Sequence, residues 1–493
     1  MTELASFSRT DMLALLPAIV LVLFGCVAIF LDVTGRKMER SGKQAMIFGL
    51  AGTALALLFV FRQNSFLGSL KLDHVVTCQG AVTIDGLGLL TNAITLGATA
   101  IFLLISYKFL VLHRENNAAF YALALFAETG MYFMATSSEL VTLFLGIELT
   151  SICFYVMVGF TRADRRANEA AVKYLLLGAV SSGIFLYGFS LLYGIAGSTE
   201  LNAIAQAVSH RAPHDPIVIL AVVTICTGLL FKISGVPFHM WAPDAYDGAP
   251  TPVAGYLSVA SKVAAFAVIM RLLVFTLEPV RFIWMPILIV VAVLSMSVGT
   301  IAALSQERLK RLFAYSAIAH AGYVLLGIIA GNRTGIQGVY LYLIVYALMT
   351  LGAFTVLVSL SRRGIAGEKL SDLRGLAATH PVHAAMFVIL LLSLAGIPPT
   401  AGFLGKYYIL LALIETGHYI LAGIASAYVV VSLYFYFRLV REMYLRDAET
   451  TEPLATSFGT RLALGATSAL TLLIGIFPEP VLRMGFQLAG VGR

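Results

Sequence analysis

The stretch that decides the fold is Ile217-Val-Ile-Leu-Ala-Val-Val-Thr-Ile-Cys226-Thr-Gly-Leu-Leu-Phe-Lys232-Ile-Ser-Gly235-Val-Pro237-Phe-His239-Met-Trp241-Ala-Pro243-Asp-Ala-Tyr246. An uncharged apolar run leads to a lysine, a Gly-Val-Pro step follows, and a helical pattern resumes as far as about Tyr246. A helix crossing a bilayer core of about 30 Å needs about 20 apolar residues. Proline removes a backbone hydrogen bond and frees carbonyls, which a membrane helix tolerates where the break borders protein or a wet cavity. The stretch therefore reads as a broken membrane span with a lysine near its centre.

Outward from it the same pattern fills the chain. Of 493 residues 59% are hydrophobic and 12% charged, about half the charge of a soluble domain. A water-exposed globule of this size is excluded, and a nucleic-acid partner is argued against, so the net charge of +7 needs another cause. Runs of span length fall at Met12–Leu31, Ala45–Phe61, Gly86–Tyr107, Ala118–Ala135, Leu140–Phe160, Ala170–Tyr193 and Ile217 onward past Gly235. They continue at Pro252–Phe275, Ile283–Leu304, Leu312–Ala330, Gly338–Leu360, a long run Ala384–Leu413, Tyr419–Leu439 and Leu462–Phe477. The result is an all-α polytopic membrane protein of about fourteen transmembrane helices, residues 1–493 forming one membrane domain. Polar Thr2–Asp11 precedes the first run without a small-residue cleavage site, so that run reads as a retained span. Cationic side chains in short loops mark the cytoplasmic side. Twenty of the 33 Lys and Arg lie in odd-numbered connections, among them Arg36, Lys37, Arg40, Lys310, Arg362 and Arg363, against eight in even-numbered loops and the termini, Arg483 and Arg493 included. Both termini are thus expected outside, and the positive charge is mostly an orientation signal.

Cys26, Cys78, Cys153 and Cys226 are far apart with no CxxC spacing, which suggests neither a cluster nor a disulfide framework. The nine histidines offer no haem-holding pair; His210 and His214 flank a proline in an outer loop and read as solvated. No metal site and no redox centre are expected in this chain.

The charges that remain lie inside spans. Lys173 and Arg271 sit near helix ends, where their long stems reach the interface. Lys232, Lys262 and Lys406 do not, and Glu148 lies eight residues into the fifth span. A charge at a helix centre costs roughly 2.5 to 3.5 kcal/mol, so these four cost about 10 to 14 kcal/mol together. Ion pairs that merely hold helices together are a weak reason for that cost, since apolar packing serves as well. Burial favours the neutral form of an amine and a neighbouring carboxylate favours the charged one. A row of such lysines with one switchable glutamate is a sensible proton relay, which His320 extends between Lys262 and Lys406 unless it is simply a neutral histidine in a bonded pocket. Glu128, in the fourth span, reads as a polar core contact. The seventh and twelfth spans both carry a break, Gly235-Val-Pro237 and Gly396-Ile-Pro398-Pro399. An offset of five reverses direction in the bilayer, so spans four to eight (118–275) and nine to thirteen (283–439) are expected to form two inverted five-helix bundles.

Three strings carry a resemblance: Lys232 to Pro252 with Ser258-Val-Ala-Ser-Lys262; Arg311-Leu-Phe-Ala-Tyr315-Ser-Ala-Ile-Ala-His320-Ala-Gly-Tyr323; and Leu394-Ala-Gly-Ile-Pro398-Pro-Thr-Ala-Gly402-Phe-Leu-Gly-Lys406. They resemble the antiporter-like subunits of proton-pumping NADH:quinone oxidoreductase, respiratory complex I, over nearly the whole chain. Glu169-Ala-Ala-Val-Lys173 and a lysine at Lys406, where an M-type subunit has glutamate, resemble the N-type subunit. The chain stops at Arg493 soon after the fourteenth span, which disfavours the L-type. The resemblance implies a Glu148–Lys232 pair, Lys262 as central relay, Lys406 on the exit side and no family counterpart for Glu128. It implies proton translocation driven by electron transfer elsewhere in the complex, with no cofactor bound by this chain and NADH, FMN, iron–sulfur clusters and quinone held by other subunits. Expected neighbours are the M-type and K-type membrane subunits, the lateral helix of the L-type subunit and the lipid of a bacterial inner membrane, with both termini periplasmic. The rivals are a subunit of a multisubunit cation/proton antiporter or membrane-bound hydrogenase, which share the core, and a non-translocating membrane scaffold.

Overall fold

The computed structural model describes residues 8–34, 38–115, 117–361, 367–449 and 453–482. Arg36, Lys37, Arg362, Arg363, Arg483, Arg493, the side chain of Arg40 and both termini, used above for orientation, lie outside them.

Two helices open the chain, α1 (Arg9–Thr34) and α2 (Met38–Leu70), followed by an antiparallel hairpin, β1 (His74–Thr77) and β2 (Val82–Asp85), in register His74 to Asp85. The sequence reading left this hairpin in the connection between two spans; its four-residue strands are too short to show a period-two pattern. Asp85 then caps α3 (Gly86–His113) by accepting from the Gly88 N–H at 2.7 Å. Asn117 does the same for α4 (Ala118–Thr136) and Glu139 for α5 (Leu140–Val158), each satisfying amide donors that a helix start leaves free. Beyond α6 (Arg165–Ala196), Gly197 at φ +64 stops the helix, and a short connecting helix, α7 (Leu201–Ser209), leads to α8 (Pro216–Lys232). The break sits where the sequence placed it. Lys232 is the last residue of α8, and α9 (Trp241–Gly248) completes the crossing. Next come α10 (Thr251–Ile269), extended by a π-helical segment Met270–Thr276, then α11 (Arg281–Leu304), α12 (Leu309–Ala330) and α13 (Arg333–Leu360). A single turn, α14 (Leu376–Thr379), precedes the second broken span, α15 (Pro381–Ala395) and α16 (Ala401–Glu415); α17 (Tyr419–Leu445) and α18 (Phe458–Ile476) finish the bundle.

Among the described residues, twelve helices are long and apolar enough to cross a membrane. The α8–α9 and α15–α16 pairs supply the other two crossings of the expected fourteen. The packing repeats at an interval of five spans. In the first set α4 packs on α5, α6 on both α8 and α9, and α10 returns to α4; in the second α11 packs on α12, α13 on both α15 and α16, and α17 returns to α11. Because five is odd, the second set runs through the bilayer in the opposite direction. The two sets meet through α10, α12 and α13, which are almost wholly enclosed by protein. By contrast α5 exposes Val141, Leu145, Ile152 and Val156 at helical spacing, a stripe suited to lipid or a neighbouring apolar helix.

Candidate functional site

The first broken span holds its lysine at the lip of the gap. Helix ends leave carbonyls without partners, and here the indole Nε1 of Trp241 donates to the Phe231 carbonyl at 3.0 Å. Trp241 is itself fixed by stacking on Tyr174 with ring centroids 4.4 Å apart, and Ser295 accepts from the Val236 N–H at 3.0 Å. Lys232, half-buried, is free to turn toward α5, where its Nζ donates to Ser151 Oγ at 2.7 Å. Glu148 lies one helical turn from Ser151 and accepts from Ser182 Oγ of α6 at 2.5 Å. The expected Glu148–Lys232 pair is not among the ion pairs of the described residues: Ser151, which accepts from Lys232, donates to the Ile147 carbonyl at 2.6 Å, while Glu148 acts electrostatically on Lys232.

Lys262 is 2% exposed in the middle of α10. Its Nζ has no protein hydrogen-bond partner and lies 5.9 Å from the centroid of the Tyr246 ring, near enough for a cation–π attraction. On the far side, His320 of α12 sits between two tyrosines, Nδ1 2.5 Å from Tyr342 Oη and Nε2 3.0 Å from Tyr436 Oη. Tyr436 in turn reaches Ser316 Oγ at 2.5 Å. Both Lys262 and Lys406 act electrostatically on His320.

Lys406 projects from α16 back to the end of α15, where its Nζ donates to Leu394 O at 2.9 Å and Ala395 O at 3.0 Å. A cation at a helix C-terminus is favoured by the aligned peptide dipoles. Gly396, at φ +85, turns the chain away there, and a Cβ at this position would stand 2.8 Å from Lys406 Cδ. Tyr323, one turn from His320, places its ring centroid 5.1 Å from Lys406 Nζ. The structure thus brings Lys262, His320 and Lys406 together in the enclosed centre and Glu148 and Lys232 together at the first broken span.

The sequence reading missed Ser151, Ser182, Tyr246, Tyr323, Tyr342, Tyr436 and Trp241. A hydroxyl one turn from Glu148, and a tyrosine one turn from His320, were the available signals. Two expectations need correction. Arg271 does not reach out to the interface: it is buried on the π-helical segment, donates to both Asp85 oxygens (2.8 and 3.1 Å), and bonds the Ala135 carbonyl. A neutralising carboxylate 186 positions away makes burial cheaper than snorkelling. Lys310 and its neighbours are not merely orientation charges. Lys310 is buried against Glu368 and the Ala249 carbonyl, Arg308 bridges Asp247 and Glu368 at 2.6 and 2.7 Å, and Arg311 meets Asp244 at 3.0 Å. Lys173, 48% exposed near its helix end as expected, also joins this network through Glu169 and Asp244, which the sequence reading did not foresee. Among the described residues, no group of three or more His, Cys, Asp or Glu is placed to hold a metal ion, and the four cysteines are free thiols.

A bundle with two broken helices, a lysine at each break and a third, buried, between them defines the class of antiporter-like membrane subunits. The family described as NADH:quinone oxidoreductase/Mrp antiporter, transmembrane, matches residues 137–432, and the chain belongs to it. NADH-quinone oxidoreductase subunit N 2 of Solibacter usitatus is 51% identical over 479 residues, 97% of each chain. Subunit N 2 of Rhizobium meliloti is 41% identical over 478 residues, again 97% of each. Among solved structures, a chain of respiratory complex I from Thermus thermophilus with bound aureothin matches with TM-score 0.79 and 32% identity, over 95% of this chain and 98% of that one. A chain of the Mrp complex from Dietzia matches with TM-score 0.82 at 20% identity, over 97% of this chain and 96% of that one, a likeness of fold alone.

Proposed function

We propose that this chain is the N-type, proton-translocating membrane subunit of a bacterial NADH:quinone oxidoreductase, with Glu148, Lys232, Lys262, His320 and Lys406 as its relay. The observation that carries the reading is Lys262. An amine enclosed at mid-membrane without a bonded counter-ion adds nothing to packing and is costly to bury, yet it stands between Lys232 on one side and His320 on the other. The groups around it suit proton passage. Lys232 donates to the Ser151 hydroxyl and Glu148 accepts from the Ser182 hydroxyl, groups that can accept one proton while donating another. Tyr342 and Tyr436 present the same ability on both nitrogens of His320. Lys406 spends two of its three N–H donors on carbonyls, so the third can leave and the neutral amine still keeps both bonds.

Residues 118–275 and 283–439 act as two oppositely directed halves, one around each broken span. The chain carries no redox group; NADH, FMN, iron–sulfur clusters and quinone belong to other subunits, and the energy arrives from them. Its neighbours are the M-type and K-type membrane subunits and the lateral helix of the L-type, and the excess of Lys and Arg in the odd-numbered loops supports a periplasmic side for both termini. A cation/proton antiporter subunit is the second reading, supported by the shared fold with the Mrp chain; full-length identity to subunits N supports the first. The test is Lys262→Met in the assembled complex in vesicles. NADH oxidation and assembly persist and proton uptake falls; uptake at full stoichiometry refutes the relay. Uptake that requires sodium favours the antiporter reading instead.

A further inference from the structure

The relay leaves one intramembrane carboxylate without a role. Glu128 of α4 is fully buried, and it is absent from the ion pairs of the described residues. Its oxygens accept from hydroxyls of α3: Thr95 Oγ1 lies 2.7 Å from Oε1 and Thr99 Oγ1 2.8 Å from Oε2. Thr99 Oγ1 is also 2.7 Å from Tyr256 Oη of α10 and 2.9 Å from its own helix's Thr95 carbonyl.

The proton count of this cluster admits two complete arrangements. With Glu128 ionised, Tyr256 donates to Thr99, Thr99 to one carboxylate oxygen and Thr95 to the other. With Glu128 neutral, the carboxylic O–H donates to Thr99 Oγ1, and Thr99 turns its proton to the Thr95 carbonyl. Tyr256 still has Thr99, and the Ala124 carbonyl at 3.5 Å, to face. A hydroxyl can rotate to suit either case, so gain or loss of one proton strands no buried polar atom, the cost that otherwise opposes it. A contact with a purely structural purpose needs only one of these arrangements.

The same face of α3 offers a way in. Asp85, Asn92, Thr95 and Thr99 follow one another at helical spacing on one side. Asn92 is fully buried with both side-chain polar atoms lacking a protein partner. Asp85, at the end of that line, lies with Arg271, His74 and Tyr340 in a recess of about 350 Å³ on the face of the even-numbered loops. We infer that Glu128, Thr95, Thr99 and Tyr256 form a second proton-binding site, distinct from the Glu148–Lys406 row and reached from the even-loop face along α3 past Asn92. The ionisable groups on the surrounding helices include Tyr256 and Lys262 on α10, Cys153 on α5 beyond Tyr256, Glu148 on α5 turned toward Ser182, Tyr107, Lys108 and His113 toward the far end of α3, Cys26 on α1, and Asp11, Asp32, Lys43 and Arg62 toward the ends of α1 and α2.

The inference does not depend on pumping, and its test reads protonation directly. Infrared difference spectra of the whole complex, recorded between acidic and alkaline pH, should contain a carbonyl stretch from a buried carboxylic acid. That band should move in deuterium oxide, be lost in Glu128→Gln, and return at a shifted position in Glu128→Asp, which also covers the case of a Gln variant that fails to assemble. Spectra that are the same in wild type, Glu128→Gln and Glu128→Asp overturn the site. After a pH jump the band should grow more slowly in Asn92→Leu than in wild type; an unchanged rate overturns the route.

Discussion

The α8–α9 and α15–α16 spans solve the same problem with different donors. Each breaks at a glycine–proline step in mid-membrane and exposes carbonyls that need partners. In the first, a neutral indole from Trp241 takes the Phe231 carbonyl, and Lys232, half-buried, is left to a serine. In the second, no aromatic donor plays that part: the ammonium of Lys406 holds the Leu394 and Ala395 carbonyls itself. One lysine is relieved of structural duty and the other combines it with the relay. Chain direction accounts for part of this, because Lys232 precedes its break and Lys406 follows its own.

The largest effect should come from Lys406→Met. It removes the relay group and leaves two carbonyls unpaired, at about 1 to 3 kcal/mol each; both NADH-driven proton uptake and the thermal stability of the assembled complex should fall. Equal thermal stability would mean the carbonyls have other partners. Lys232→Met should depress proton uptake by at least about tenfold, the factor that 1.4 kcal/mol of barrier represents, while the melting point stays near wild type. A melting point lowered as far as that of Lys406→Met would erase the contrast between the spans. Trp241→Phe should show the converse, a stability loss of about 0.5 to 1.5 kcal/mol from the lost indole hydrogen bond, since the Phe231 carbonyl keeps the Ser234 N–H at 3.0 Å, with much of the uptake retained.

The smallest effect concerns the cap of α5, which has no equivalent at the start of α12, where Arg308 makes no side-chain cap. Burial pushes the Glu139 carboxyl up, but bonds from the Thr142 hydroxyl and N–H, from Thr199 and from the Val141 N–H outweigh it and hold it below the ordinary carboxylate range. A carboxyl that ionises more readily in the folded state stabilises fully above its unfolded pKa and loses that contribution as pH falls through the folded value. Glu139→Ala should therefore cost about 1 kcal/mol at neutral pH and less in acid. Hydrogen exchange at the first turn of α5, in wild type and variant at both pH values, measures it; a pH-independent difference would remove the carboxylate from the account.

The spans and the three central lysines were legible in the sequence because both signals are local. A run of apolar residues reads as a span wherever it packs, and a lysine inside one is conspicuous by its cost. What escaped depends on partners distant in sequence. Asp85 looks like a loop acid until Arg271 is beside it, and Trp241 looks like core until its indole is seen on the Phe231 carbonyl. Lys310 counted as a loop charge because nothing adjacent signals that Glu368 folds over it. The hairpin and α7 were missed for the opposite reason: both are too short for periodicity to register.

The enclosure of α10, α12 and α13 bears on the choice of membrane. Helices that touch lipid must match its hydrocarbon thickness by tilting or by deforming it, and here that duty falls on outer members such as α1, α5, α6 and α17. Lys262 and His320 ride on helices whose surroundings are other helices. A thicker or thinner bilayer would tilt the outer wall first, so this chain should keep the geometry around its central lysine when transferred between lipids of different acyl length.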